Sequence, residues 1–269
     1  MLSFLRKYEV WCFLGLIVLL NALFISAIAF DVLSHRFYSM GRFALLAAVL
    51  GGVVVTARGW GGITDLLRPM LQWRRPLQWY LFAFLWNPAI CLLVLAGLYT
   101  VNRSAMPEFS PNFDLVTRPY ILRTLLISSF IGEIVWISYA IRKLSGSFTP
   151  YVSALIVGVV WTAWWVPMVF YNIGIVPDLP LAALLFNQIG IAAMCTFVYM
   201  HTKSGLLVLC LQLTFNLTIL VLPITPAVGG FATYWAFAVT YFTAALLLFA
   251  IFGPKPLFAA DRRNGRPPI

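Results

Sequence analysis

Long apolar stretches separated by short polar ones recur along almost the whole chain. Eight of them run over residues 10–30, 43–57, 79–100, 121–141, 152–173, 181–200, 206–223 and 232–252. Most come close to or exceed the roughly 20 residues that a helix needs to cross a bilayer. The second is short, and it either extends back past Arg42 or tilts less than its neighbours. None shows the dyad alternation of a membrane β-strand. A backbone in hydrocarbon has to satisfy its own N–H and C=O groups, and a helix does so within itself. The pattern therefore predicts an all-α, polytopic membrane helix bundle of about eight transmembrane helices. No polar stretch is long enough to link two domains, so residues 1–269 are expected to form a single membrane-embedded helical domain.

The polar segments refine this picture. Residues 58–78 interleave Trp60, Trp73, Arg74 and Arg75 with leucines, the pattern of a segment lying in the membrane interface. The stretch 101–120 carries Pro107, Pro111 and Pro119 with the acids Glu108 and Asp114, and reads as a semi-extended loop. The tail 253–269 is rich in proline and arginine and is expected to be flexible. Arg6 and Lys7 precede the first apolar stretch, and Ala27 and Ala29 near its end imitate a cleavage site. That stretch is longer than the 7–15 apolar residues of a secretory signal, so a retained helix is expected.

Hydrophobic residues make up 62% of the chain and charged ones 10%, with mean hydropathy +0.93. Its 18 Lys and Arg against 8 Asp and Glu give a net charge of +10, which raises the question of nucleic acid. The distribution answers it. With the N-terminus inside, Arg6, Lys7, Arg58, Arg68, Arg74, Arg75, Arg142, Lys143, Lys203, Lys255, Arg262, Arg263 and Arg266 fall on the inner side. Only Arg36, Arg42, Arg103, Arg118 and Arg123 fall outside. This bias follows the positive-inside rule and predicts a multi-pass protein of the cell (plasma or inner) membrane with both termini cytoplasmic. The charge is assigned to topology and to the headgroups of the lipid bilayer, with no nucleic-acid partner. Cys12, Cys91, Cys195 and Cys210 all lie in apolar stretches at spacings that fit no metal site, and read as small apolar residues.

Glu133 sits in an otherwise uncharged run, 124–141. A carboxylate near the middle of a membrane helix costs roughly 2.5–3.5 kcal/mol, so it needs a partner or a task. On this reading it is the one acid or base well inside the apolar stretches. Gln212 and Asn216 are four residues apart, one above the other on a helix face, and are expected to seek a partner such as Glu133 on a neighbouring helix. Two readings stand: hydrogen-bonded glue between helices, worth about 0.6 kcal/mol per contact, or a functional cavity. A transporter or channel component is a third class, but the chain shows neither an internal repeat nor paired intramembrane charges.

Three segments carry a resemblance: Gly132 to Tyr139, Trp161 to Pro167, and Gln212 to Asn216. Together they resemble the motifs of the CAAX prenyl protease and bacteriocin-processing family (CPBP, or Abi) of intramembrane endopeptidases. That family reads Glu-Glu-x-x-x-Arg, then Phe or Trp-x-x-x-His, then His-x-x-x-Asn or Asp. Glu133 with Trp136 and Tyr139 looks like the second glutamate and its flanking aromatics. Trp161 to Pro167 is similar to the Trp-x-x-Trp-His-Leu-Pro run, and Lys203-Ser204-Gly205 to the turn before the third motif. Trp73-Arg74-Arg75 with Trp79-Tyr80-Leu81 looks like the segment ahead of the core. The resemblance covers about residues 60–222, with a family-like core at about 121–223.

The departures fall on the reactive positions. Gly132 stands for the first glutamate, Ile137 for the arginine, Trp165 for the first histidine and Gln212 for the second. Glu133 and Asn216 remain as the retained catalytic positions, with Gln212, Trp165 and Trp136 expected to line a substrate or partner cavity. The family, as the resemblance implies, activates a water with glutamate and histidine and steadies the oxyanion with asparagine and histidine. Tryptophan donates one N–H and shuttles no proton, and glutamine does not titrate. With both histidine positions replaced, and with His35 and His201 at the ends of different stretches, no zinc or other metal cofactor is expected. The resemblance implies a pseudoprotease that binds a membrane peptide or protein partner, consistent with roles in bacteriocin immunity. An active endopeptidase with a rearranged site is the alternative.

Overall fold

The computed structural model describes residues 6–101, 103 and 106–253. Lys255, Arg262, Arg263, Arg266 and all but the first residue of the tail lie outside the described residues. Ten α-helices of four residues or more are numbered among the described residues: α1 (Glu9–Ala29), α2 (Tyr38–Arg58), α3 (Gly61–Leu67), α4 (Leu77–Val101), α5 (Asp114–Thr117), α6 (Pro119–Gly132), α7 (Pro150–Tyr171), α8 (Leu181–Thr202), α9 (Gly205–Val221) and α10 (Pro226–Phe252). The described residues contain no strand. Among the described residues, seven helices are long and apolar enough to cross a membrane, with α6 counted through to Leu144. The expected span at 206–223 forms α9, which at 17 residues is the shortest of the apolar helices.

The ends follow from local sequence. Pro119, Pro150 and Pro226 each occupy the first turn of a helix, where a missing N–H costs nothing. Thr149 caps α7 by accepting from the Val152 N–H at 3.3 Å, and Ser204 caps α9 from Leu207 at 3.2 Å. The expected interfacial segment is α3 followed by a 3₁₀ turn, Arg68–Leu71. It buries Gly62, Leu66 and Pro69 and leaves Trp60, Leu71 and Trp73 exposed.

α8 is the most enclosed of the long helices and packs most extensively against α10 and α7. Glycines bring these backbones together. A Cβ on Gly158 of α7 would stand 2.6 Å from the Ile189 Cα, and one on Gly190 would stand 3.1 Å from the Phe242 amide of α10. Small residues at helix contacts are the usual route to close packing in lipid, where burial of apolar surface supplies no drive. A polar node fastens α4, α9 and α10. Asn87 donates to the Leu211 carbonyl and to Thr214, both at 2.9 Å, and accepts from the Tyr241 hydroxyl at 2.7 Å.

One end of the bundle is an ion network. Arg58 holds Glu9 (2.6 Å) and Asp65 (3.4 Å), Arg142 holds Asp65 (2.8 Å), and Lys143 reaches Glu9 (3.2 Å). These pairs tie α1, α2 and α3 to the end of the fourth long segment. Arg6 donates to the Ala57 carbonyl beside them at 3.0 Å.

Of the two alternatives for the second stretch, it extends back past Arg42, and one expectation needs correcting. α2 starts at Tyr38, because the 3₁₀ turn His35–Phe37 delivers the chain into the helix earlier than hydropathy alone marks. Glu133 is consequently not the one ionisable group inside the apolar stretches, since Arg42 is only 2% exposed.

Candidate functional site

After Gly132, α6 does not continue as an α-helix. Glu133–Ile141 forms a π-helix, followed by a last α-helical turn, Arg142–Leu144. π-Helices are rare, and they occur often at functional sites. All nine residues of this stretch are buried. Its consequence is local and chemical. Five residues along an α-helix lie about 140° apart around the axis, whereas a π-helix aligns them. Ser138 therefore comes beneath Glu133 and donates its hydroxyl to Glu133 Oε1 at 2.5 Å.

Glu133 is fully buried, as an inward-facing residue should be, but it does not join the two carboxamides. Its Oε2 has no hydrogen-bond partner among the described residues. The carboxyl group lies against the start of α9, where a Cβ on Gly205 would stand 2.8 Å from both Glu133 Oε1 and Met70 Sδ. Glycine at 205 leaves room for both.

On the other side of the same segment lies a cavity of about 420 Å³. Trp161, Trp164 and Trp165 recur at helical spacing and place one aromatic face of α7 on it. Trp136 stacks on Trp161 with ring centroids 5.4 Å apart and planes at 19°, and meets Trp164 edge-on at 6.2 Å. α9 contributes Gln212 and Asn216, and α8 contributes Asn187 and Gln188. Trp136, Trp165, Gln212 and Asn216 thus share one cavity, while Glu133 is not among its lining residues.

The polar groups of this lining are unevenly satisfied. Asn216 donates to Ser129 at 3.0 Å across α9 and α6. Gln212 Nε2 and the indole N–H groups of Trp164 and Trp165 are buried and have no partner among the described residues. An unmet buried donor costs about 1–3 kcal/mol, so the three together are a concentrated cost in this region. The Gln212 amide oxygen would stand 3.1 Å from a Cβ at Gly132, so the glutamine fills space that a side chain at 132 would need.

Arg42 backs the aromatic wall. Its guanidinium lies 3.8 Å from the Trp164 ring centroid and 4.9 Å from that of Trp165. It donates to Asn21 Oδ1 at 3.3 Å and to the Tyr38 hydroxyl at 3.2 Å. Asn21 in turn donates to the Trp164 carbonyl at 2.7 Å, which fixes α1, α2 and α7 together behind the cavity. Sequence reasoning missed Arg42 as part of this wall. A signal was present, since an arginine one residue ahead of an apolar run is placed to be drawn into it. Among the described residues, no group of three or more His, Cys, Asp or Glu could hold a metal ion.

Compared with known proteins, the chain matches no protein-family model and no curated protein.

Proposed function

We propose that the protein binds a segment of a membrane peptide or protein partner in its aromatic cavity, and that it is a non-catalytic or weakly active relative of the CPBP endopeptidases. The observation that carries this reading is the lining itself. It combines four tryptophans with the carboxamides of Asn187, Gln188, Gln212 and Asn216, and it contains no Asp, Glu, His, Lys or Arg. An extended peptide supplies carbonyl acceptors at short intervals and apolar side chains between them, which suits such a lining. Acid–base hydrolysis needs a titrating group within reach of the attacked bond. Glu133 is the one retained acid of the motifs, and its carboxyl faces Ser138 and Gly205 rather than the cavity. The fit between Gly132 and Gln212 also supports the reading, because the two departures from the family pattern are sterically matched here.

The test uses the purified protein in detergent with a farnesylated CAAX-type peptide. Binding is expected to weaken about tenfold in Trp161→Ala and in Gln212→Leu, the loss that one well-packed contact or hydrogen bond produces. No cleavage product is expected by mass spectrometry. Turnover that disappears in Glu133→Gln would overturn the non-catalytic reading in favour of an active endopeptidase. Binding that ignores both cavity substitutions would overturn the cavity as the peptide site.

We further read the end of the bundle holding Arg6, Arg58, Arg142 and Lys143 as cytoplasmic, with both termini on that side of the cell membrane. Its support is the surplus of basic residues there. Reporter fusions after Ala227 and after Lys255 are expected to lie on opposite sides of the membrane. Two fusions on the same side would remove the eighth crossing.

A further inference from the structure

The cavity among the tryptophans is not the only concave surface. A second, more open groove of about 680 Å³ lies between the α3 segment and α6. Ile63, Leu67, Met70 and Leu71 form one wall, Phe130 the other, and Arg68 stands at the lining as well. The groove adjoins a face of α6 that is open to the bilayer, where Leu126, Ile127 and Phe130 are all substantially exposed. Apolar walls beside a lipid-facing helix suit a hydrocarbon chain.

The charge around it is one-sided. Asp65 also lines the groove, but Arg142 and Arg58 already hold it, and Glu9 is held by Arg58 and Lys143. Arg68 and Arg74 are exposed and pair with no acid among the described residues. Arg74 rests over the Trp73 ring, 5.0 Å from its centroid, three residues beyond Leu71. The segment is also held in place. Arg142 bonds the Asp65 carbonyl at 3.2 Å, Ser204 donates to the Gln72 carbonyl at 2.6 Å, and the Tyr80 hydroxyl donates to the Trp73 carbonyl. A groove fixed at both ends is preorganised, which removes part of the ordering cost of binding.

We propose that this groove is a binding site for one anionic phospholipid, with an acyl chain against Leu67, Leu71 and Phe130 and the phosphate met by Arg68 and Arg74. Basic residues beside membrane helices recognise anionic headgroups, each strengthening binding roughly fivefold. The site stands apart from the aromatic cavity and is independent of what that cavity binds.

Native mass spectrometry of the delipidated protein in a neutral detergent tests this, with titration by phosphatidylglycerol, phosphatidylcholine or inorganic phosphate. One phosphatidylglycerol is expected to be retained at least about tenfold more tightly than phosphatidylcholine. The preference should vanish in the Arg68→Gln/Arg74→Gln double variant and remain in Lys7→Gln. Thr64→Trp fills the groove from an exposed position without touching a charge, and should release the lipid while leaving the lipid-free melting temperature unchanged. Equal retention of the two lipids would overturn the proposal, as would retention that survives in the double variant. Thermal stabilisation by inorganic phosphate equal to that by phosphatidylglycerol would reduce the site to a free-anion contact and overturn it too.

Discussion

Gly158→Ala is expected to cost about 3 kcal/mol, at the upper end of the overpacking range. The added Cβ would stand 2.6 Å from the Ile189 Cα, 2.8 Å from its Cγ1 and 3.0 Å from its amide nitrogen. A side chain can rotate away from such a contact, but a helix backbone has to translate. α8 has no room to do so, because Gly190 on the same turn already sets it close to the Phe242 backbone of α10. Thermal unfolding in detergent measures the loss against a control. Gly51→Ala in α2 meets nothing within 4 Å and should gain about 0.5–1 kcal/mol from the better helix propensity of alanine. Equal melting temperatures for the two variants would refute the close-packed α7–α8 contact.

Arg42→Ala carries the second large effect, about 2–4 kcal/mol. The substitution removes the donor to Asn21 Oδ1, a group with no exposure at all, and an orphaned buried acceptor costs about 1–3 kcal/mol. It also opens space against the Trp164 face. Arg42→Lys should rescue little, because an ammonium has neither the planar face that stacks on an indole nor the fork that reaches Asn21 and Tyr38 together. The double variant Arg42→Met with Asn21→Leu should recover much of the stability, since paired apolar replacement strands neither member of the pair. The melting temperatures of the unsubstituted protein, Arg42→Met, Asn21→Leu and the double variant form a double-mutant cycle. Additive losses at the two positions, with no recovery, would show that Arg42 and Asn21 do not act through each other.

Much of the fold was legible because lipid imposes a simple rule on sequence. Helices long enough to cross must be apolar throughout, so the stretches at 10–30, 79–100 and 181–200 stand out by composition alone. The helix ends were less plain: α10 starts at Pro226, ahead of the residue 232 at which its apolar stretch begins. Within the site, the four-residue spacing of Gln212 and Asn216 was sufficient to place both on one face, and both line the cavity. Arg42 was not legible as a buried group, because what accommodates it is a tryptophan face on α7, far along the chain. The pairing of Glu133 with Ser138 was hidden for a different reason. Sequence patterns are read on an α-helical wheel, and on that wheel the two residues face apart.

The wide helix from Glu133 to Ile141 also constrains how this chain tolerates change in length. A π-helix closes its hydrogen bonds from i to i+5, one residue more than an α-helix, and so holds what amounts to an insertion. Everything beyond it depends on that extra residue. Arg142 and Lys143 meet Asp65 and Glu9 in the register that the wide turn sets. Losing one residue anywhere in this stretch would let it relax to α-helical geometry, separate Ser138 from Glu133, and rotate Arg142 and Lys143 by about 100° away from their partners. A substitution along 133–141 alters one contact at a time, whereas a change in the number of residues there shifts the Ser138–Glu133 bond and both ion pairs together.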